Sequence, residues 1–445
     1  MERSSGLKGK ILCFIWFACL ILPAVKVNAQ EQISLADAIR IGLENNFQIR
    51  IFENTVDIAR NNNTWGTAGL FPTITLGISQ TNRYDDLPDQ FQASERGRTI
   101  TNRFSPFVNL QWNLFSGFSV HMTKDKLAAL ESLSEGNAVI VVENTIQGII
   151  LAYYNTLLQL QTLKTLDELK QLSRDRFEYV TYRKDLGAAV TYDVLQAKNA
   201  YLDDSTNYLL QQLNVENAYL YLRLLLGEES NVQYELTDEF TVVEQEFSYD
   251  SLFVQMKSDN ANLRNQYVNQ EILKKDVKIA KSAAYPYLNL NAGFDQFNNR
   301  IQVIDGGTDF TNNLDFYVNF SLGFNLSNGG LVRRAIQNAR IEEEIGFLEI
   351  AELEVSLSNQ LQNAFDLYNI RKQLYEVSLV NVESAKLNLE ISTDKFRSGA
   401  INSFNFRDVQ VIYLRASVSS LQAIFNLVDS HSELLRLSGG IIREY

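Results

Sequence analysis

Histidine occurs twice in the 445 residues, at His121 and His431, and cysteine twice, at Cys13 and Cys19. Two histidines cannot build a His-rich metal site. Proline is scarce too: five residues, none of them between Pro106 and Pro286 or after Pro286. Such gaps permit very long helices, because proline removes a backbone donor and breaks the helical ladder. Clustered basic residues are also missing. With 53 acidic against 40 basic residues the formal net charge is −13, which argues against nucleic acid as a partner. What the chain does have is apolar residues, 45% of the total, enough to bury a sizeable core and to exclude global disorder.

The first 29 residues read as a signal peptide. Lys8 and Lys10 precede an apolar run from Ile11 to Val25, and Val27-Asn28-Ala29 supplies small residues for cleavage after Ala29. The run of 15 residues is short for a membrane span, which needs about 20. Both cysteines fall inside this segment, so the mature chain carries no disulfide, thiol nucleophile or thiolate metal site. Removing Arg3, Lys8, Lys10, Lys26 and Glu2 takes the net charge from −13 to −16. No cysteine follows the cut, so a lipid anchor there is not expected.

The remainder repeats itself. Leu70-Phe71-Pro72-Thr73-Ile74-Thr75-Leu76 returns in outline as Ala284-Tyr285-Pro286-Tyr287-Leu288-Asn289-Leu290. Gly117, Gly187 and Gly227 return as Gly329, Gly399 and Gly439, each 212 positions on, while the Pro72–Pro286 pair is separated by 214. Ordered matches at one offset mark two copies of a unit. The first repeat spans 30–227 and the second 249–439, with a linker at 228–248 and a tail at 440–445.

Each repeat has the same internal order. A helix-period segment (34–68, then 249–283) precedes a β region (71–115, then 285–326). A very long helix (118–184, then 330–396), a glycine turn and a second helix (192–226, then 404–438) follow. Asp193 or Thr191, and Ser403, suit the N-caps after the turns. Leu195, Leu202 and Leu209, then Leu414, Leu421, Val428 and Leu435, recur at near-heptad spacing and predict coiled-coil seams. A helix over 118–184 would be about 100 Å long at ~1.5 Å per residue, and the two shorter helices are expected to stack end to end beside it.

The β regions alternate. Val108, Leu110, Trp112 and Leu114 oppose Asn109, Gln111 and Asn113. Leu314, Phe316, Val318, Phe320, Leu322, Phe324 and Leu326 oppose Asp315, Tyr317, Asn319, Ser321, Gly323 and Asn325. A soluble antiparallel sheet would alternate as well. Strand lengths of about 10 or more residues and aromatics near the ends (Phe71, Tyr84, Phe107, Phe115, Tyr285, Phe297) instead suit an outer-membrane span, with the apolar set toward lipid. The polar stretches Thr81–Arg103 and Asn298–Asn313 then form outer loops. Four strands cannot close a barrel, and an open edge cannot sit in lipid. Several chains must contribute: three copies give 12 strands, and two copies would close as well.

The opening Ser34-Leu35-Ala36-Asp37-Ala38-Ile39 segment with Leu43 and Asn45-Asn46, the two Pro-led strand pairs, and the turns before Thr191-Tyr192-Asp193-Val194-Leu195 and Ser403-Phe404-Asn405-Phe406 together resemble the TolC family. The resemblance spans the mature chain. It implies an α+β membrane protein: a trimeric 12-stranded β-barrel, four strands per chain, continuous with a long periplasmic α-helical coiled-coil barrel and girdled by an equatorial belt. It implies a Gram-negative outer-membrane location, a homotrimer embedded in outer-membrane lipid, and docking to a periplasmic adaptor (membrane fusion) protein and an inner-membrane pump or ATP-driven exporter. The function implied is the exit duct of a tripartite efflux or type I secretion system, with no cofactor.

By the same resemblance Asp193, Asn405 and Asp408 line the periplasmic entrance, where trimer symmetry would turn carboxylates into a cation-attracting ring. Asn405 stands where many members are acidic. Gly187, Gly399, Phe396, Thr191 and Ser403 belong to the hairpin tips and adaptor docking. The family's closing tyrosine and arginine are replaced by Phe396 and Ile401. The lipid-facing set is Val108, Leu110, Trp112, Phe316, Val318, Phe320 and Leu322. Nothing supports an enzyme, since the sequence shows no phosphate loop and no convincing carboxylate pair. A pore-less periplasmic coiled-coil scaffold or adaptor is the competing function; it accounts for the helices but not for duplicated amphipathic strands.

Overall fold

The computed structural model describes residues 31–87, 97–228, 234–242, 245–304 and 306–444. The segment read as a signal peptide lies outside them. In order the elements are β1 (Glu31–Ile33), α1 (Leu35–Asn45), α2 (Phe47–Asn62), β2 (Thr73–Leu87), β3 (Gly97–Ser116), α3 (Ser119–Asp185) and α4 (Thr191–Leu226). There follow β4 (Tyr234–Leu236), α5 (Tyr249–Asp259), α6 (Ala261–Ser282), β5 (Tyr287–Val303), β6 (Thr308–Gly323), α7 (Leu331–Arg397), α8 (Ser403–Ser438) and α9 (Ile441–Glu444).

The proline-free stretches form the two longest helices. α3 and α7 hold 67 residues each and start 212 positions apart; α4 and α8 hold 36 each with the same offset. The leading helical segments are not continuous. Each breaks at an asparagine, Asn46 or Asn260, whose side chain leaves α1 or α5 behind and caps the next helix by accepting from backbone N–H groups of its first turn. Ser34 opens α1 through a capping box with Asp37.

The helices pack as a curved layer. α3 touches α2 and α4 on one side and α6 and α8 on the other, and α7 packs on α6 and α8. The C-terminus of α4 abuts the α1–α2 break, so α2 and α4 continue one another beside α3; α6 and α8 do the same. At these junctions Gly227 and Gly439 have φ of +71° and +73°, and a Cβ there would strike the backbone of Asn45 or Asp259. Glycine is required on both counts.

Two apolar cores lie at the same height. One joins Ile33, Ile39, Ile149, Tyr153, Leu222 and Leu226; the other joins Met256, Leu263, Leu361, Tyr368, Leu427 and Leu434. Around them β1 pairs in parallel with β4, and Asp238 accepts from the Leu35 N–H (2.6 Å) and the Tyr153 hydroxyl (2.7 Å). A third core sits at the far ends of the long helices.

Candidate channel: sheet faces and helical tips

At one end of the helical layer, β2, β3, β5 and β6 form a single antiparallel sheet in that order. The strands run 15, 20, 17 and 16 residues, in keeping with an expected length of about 10 or more. The stretches expected as loops, 81–103 and 298–313, are largely strand. The connection between β5 and β6 is confined to 304–307, and that between β2 and β3, 88–96, lies outside the described residues.

Residues directly opposite in antiparallel pairs share a face. The rows Leu76–Val108–Phe294–Phe316, Ile74–Leu110–Ala292–Val318 and Trp112–Leu290–Phe320 are therefore apolar throughout, flanked by Ile78–Pro106 with Leu314 and by Phe115–Leu288–Leu322. Between them run Thr75–Asn109–Gly293–Tyr317 and Thr73–Gln111–Asn291–Asn319. The Leu314 row also carries Gln296, so four rows are apolar throughout. The five together span about 27 Å along the strands at ~3.4 Å per residue, about 20 Å of height at a ~40° tilt, which suits a lipid-facing band. The next row outward, Gln80–Phe104–Asn298–Asn312, is mixed, and there the band ends.

On this face Phe316, Phe320 and Leu322 are 75%, 66% and 76% exposed, although large and apolar. Val318 is exposed too, while Val108 and Leu110 are half-buried. Trp112 is half-buried as well, and its indole N–H donates to the Leu70 carbonyl at 2.8 Å.

Three expectations are corrected here. A bulge between Asn113 and Phe115 takes Leu114 out of register and places Phe115 opposite Leu288. Phe107 and Phe297 lie in the polar-face rows rather than in an outer girdle. Phe107 covers the space left by Gly77, and the Arg103 guanidinium lies 5.5 Å above the Phe297 ring. Phe324 and Leu326 follow the end of β6 instead of lying within it.

At the opposite end Gly187 and Gly399 turn the chain with φ of +75° and +76°, and a Cβ on either would meet nothing within 4 Å. They serve backbone conformation on an open surface. The N-caps differ from expectation. Val190 precedes α4 without a side-chain acceptor, and the Asp193 carboxylate accepts from the Val190 N–H at 3.4 Å. Asn402, not Ser403, caps α8, accepting from the Asn405 N–H at 2.8 Å.

The fold brings Asp193 and Ser403 to one cleft of about 450 Å³ between the two tips, with Arg183, Tyr192 and Phe404. Asn405 and Asp408 are exposed outside it, and Thr191 is exposed on the turn. Phe396 is 4% exposed, stacked on Phe406 at 4.6 Å and set edge-on to Tyr179 at 5.2 Å. It is the centre of the tip core, and it also lines the cleft with Asp193 and Ser403. Ile401 packs at its edge.

A cluster that the sequence reading missed holds the two hairpins together above the tips. Asp204 on α4, 1% exposed, receives both guanidinium nitrogens of Arg407 from α8 (2.6 and 2.7 Å) and the Ser173 hydroxyl from α3. Arg176, also buried, donates to the Ser403 carbonyl at 3.1 Å. Burial pulls the Arg176 guanidinium down to about 10; nearby Arg407 adds to this and Asp204 opposes it. Single charges on long helices carry no periodic signal, so only juxtaposition of α3, α4 and α8 reveals the set. Farther along α3, burial raises the Glu143 carboxyl to about 7, against the pull of Arg436 and Arg264.

Residues 38–228 match the family described as outer membrane efflux protein. No curated protein matches the chain in sequence. Solved structures carry the same fold at low identity. A membrane protein from Pseudomonas aeruginosa aligns with TM-score 0.74 and 16% identity, over 91% of this chain and 93% of that one. The Campylobacter jejuni CmeC outer membrane channel aligns with TM-score 0.74 and 15% identity, over 91% and 85%. The open-state Neisseria gonorrhoeae MtrE outer membrane channel gives 0.70 and 14%, over 92% and 89%. The amphipathic sheet and the long helical hairpins are thus parts of one fold that this chain shares with those structures.

Proposed function

We infer that the protein is the outer-membrane channel of a tripartite efflux system, a conduit and not an enzyme, working as a homotrimer in a Gram-negative cell envelope. The observation that carries this reading is a pair of unmet surfaces. α4 exposes Leu195, Leu202, Leu209 and Leu213, and α7 exposes Leu374, Val377, Val380 and Leu387. In sequence, α3 with α8 is to the first and second repeats what α7 with α4 is in reverse. The α3–α8 contact is made within the chain; its counterpart would be made between chains, α7 of one against α4 of the next. Such a head-to-tail contact closes into a ring. The edge strands β2 and β6 then meet across the same boundary, and three chains give 12 strands around a polar lumen.

The tips would dock a periplasmic adaptor, and an inner-membrane pump or ATP-driven exporter would supply the cargo, small molecules in the first case and proteins in the second. A pore-less scaffold would have no use for a sheet with one predominantly apolar face whose large side chains, such as Phe316 and Leu322, are exposed.

The interface assignment has a direct test. Gln147 on α3 donates to Glu433 on α8 at 2.9 Å. Shifted by 212, that pair becomes Asn359 with Tyr221 of the neighbouring chain. Both native cysteines lie in the signal segment, so a Tyr221→Cys, Asn359→Cys variant presents only two thiols per mature chain. A short bis-maleimide should yield cross-linked dimers and trimers from outer-membrane fractions, and each single variant should stay monomeric on a denaturing gel. Monomers from the double variant would refute the α4–α7 interface.

A further inference from the structure

We propose that each chain binds the headgroup of an anionic phospholipid of the periplasm-facing leaflet, in a cleft between the base of the sheet and the start of α7. The cleft, about 790 Å³, is lined by Ala283, Ala284, Phe324, Leu326, Arg333 and Arg340, together with Ile336 and Gln337. Arg333, Ile336, Gln337 and Arg340 stand at i, i+3, i+4 and i+7, so one face of α7 looks into it. Leu326, 90% exposed, and Phe324 continue downward from the apolar strand rows, offering a wall for an acyl chain.

The charges here are unusual for so acidic a chain. Nearby Lys126, Lys274 and Lys275 are paired with Asp276, Glu271 and Asp125. Lys278, Lys281, Arg333, Arg334 and Arg340 form no ion pair among the described residues. Two cleft-lining arginines without an ion pair, Arg333 and Arg340, suit a phosphate-bearing headgroup beside a lipid-facing band, and arginine is the side chain best shaped to hold one.

The other repeat shows that the fold does not require this arrangement. There the positions of Arg333, Ile336 and Arg340 are His121, Lys124 and Ala128. That junction is filled from within: Trp65 meets His121 edge-on at 5.5 Å, and the Lys124 ammonium lies 5.9 Å over the Trp65 ring. In the second repeat α6 runs on to Ser282, Ile279 stands in the place of Trp65, and two alanines follow. The junction is left open and lined with arginine.

This site rests on the barrel reading, which sets the cleft at the bilayer surface. The test is native mass spectrometry of the full-length protein released from nanodiscs made of equal parts phosphatidylcholine and phosphatidylglycerol. The wild-type trimer should retain phosphatidylglycerol over phosphatidylcholine by roughly tenfold or more, given ~1 kcal/mol per cation near a membrane surface. Arg333→Gln with Arg340→Gln should bring the ratio close to one while the trimer mass persists, since both side chains are exposed and unpaired. Equal retention of the two lipids by wild type, or an undiminished preference in the variant, would overturn the site and leave the barrel standing. A chain that fails to enter the discs would remove both.

Discussion

The side-chain amide of Asn46 donates to the carbonyl of Leu225 at 2.7 Å, binding the α1–α2 break to the last turn of α4. The second repeat makes the same bond from Asn260 to Leu437 at 3.0 Å. Each asparagine also caps a helix, so each performs two tasks while buried. Asn46→Ala should cost about 1–3 kcal/mol by removing a cap and orphaning a buried carbonyl. Chemical denaturation of the detergent-solubilised protein should show a lowered midpoint, and Asn260→Ala should match it.

Among the described residues Asp204 is the one acid that forms an ion pair with Arg407. Asp204→Asn leaves Arg407 and Arg176 without a counter-charge, a loss of about 3–5 kcal/mol for a broken buried pair. The effect should be local. Limited proteolysis near Gly187 and Gly399 should accelerate while the sheet stays resistant; unchanged tip protection would show that the pair is dispensable.

Glu143 sets a pH dependence. Its carboxyl is raised from 4.5 to about 7 in the folded chain. The folded state therefore holds the proton more tightly than the unfolded state does, and stability falls as pH rises from about 4.5 to about 7. Glu143→Gln should flatten that slope. The variant should be more stable than wild type by about 1–3 kcal/mol at pH 8, with the gap closing below pH 4.5, as followed by thermal melts across pH.

Facing in the sheet can be checked by charge. Phe320→Arg and Leu322→Arg put a cation on the lipid side at ~2–4 kcal/mol per chain and should block assembly. Asn319→Arg, in a polar row, should be tolerated. Outer-membrane yields of the three variants decide it, and equal loss in all would invert the faces.

The entrance remains a matter for conductance. Asp408 is exposed on α8, whereas Asp193 is tied to the Val190 N–H. Asp408→Ala should weaken cation selectivity in planar bilayers more than Asp193→Ala. An unaltered reversal potential in the double variant would remove both from the pore.

Much of this molecule can be read from its residues. The repeat offset, the strand alternation from Phe316 to Leu322 and the proline-free runs each impose a period or a break, and periods survive in a sequence. Phe107 and Phe297 share the polar parity of Asn109 and Asn291; nearness to a strand end suggested a girdle, but β3 and β5 run 20 and 17 residues and place those ends elsewhere. Phe396 enters through the family resemblance, at the place of a closing tyrosine; its stacking on Phe406 within the tip core follows no sequence period. The Asp204–Arg407 pair spans 203 positions and follows no period, so nothing in the chain announced it.

The matched helices restrict how such a chain can change length. One residue inserted into α3 alone would lower its tip by ~1.5 Å and rotate every later side chain by about 100° relative to α7, its equal in the other repeat. Insertions there are tolerable only in step, in both repeats and in whole turns. The offset drops from 214 at Pro72 to 212 at Gly117, so the two-residue difference between the repeats lies inside the strand hairpins. Length drift is thereby confined to the sheet end of the molecule, and the reach of the long helices is kept as a fixed gauge.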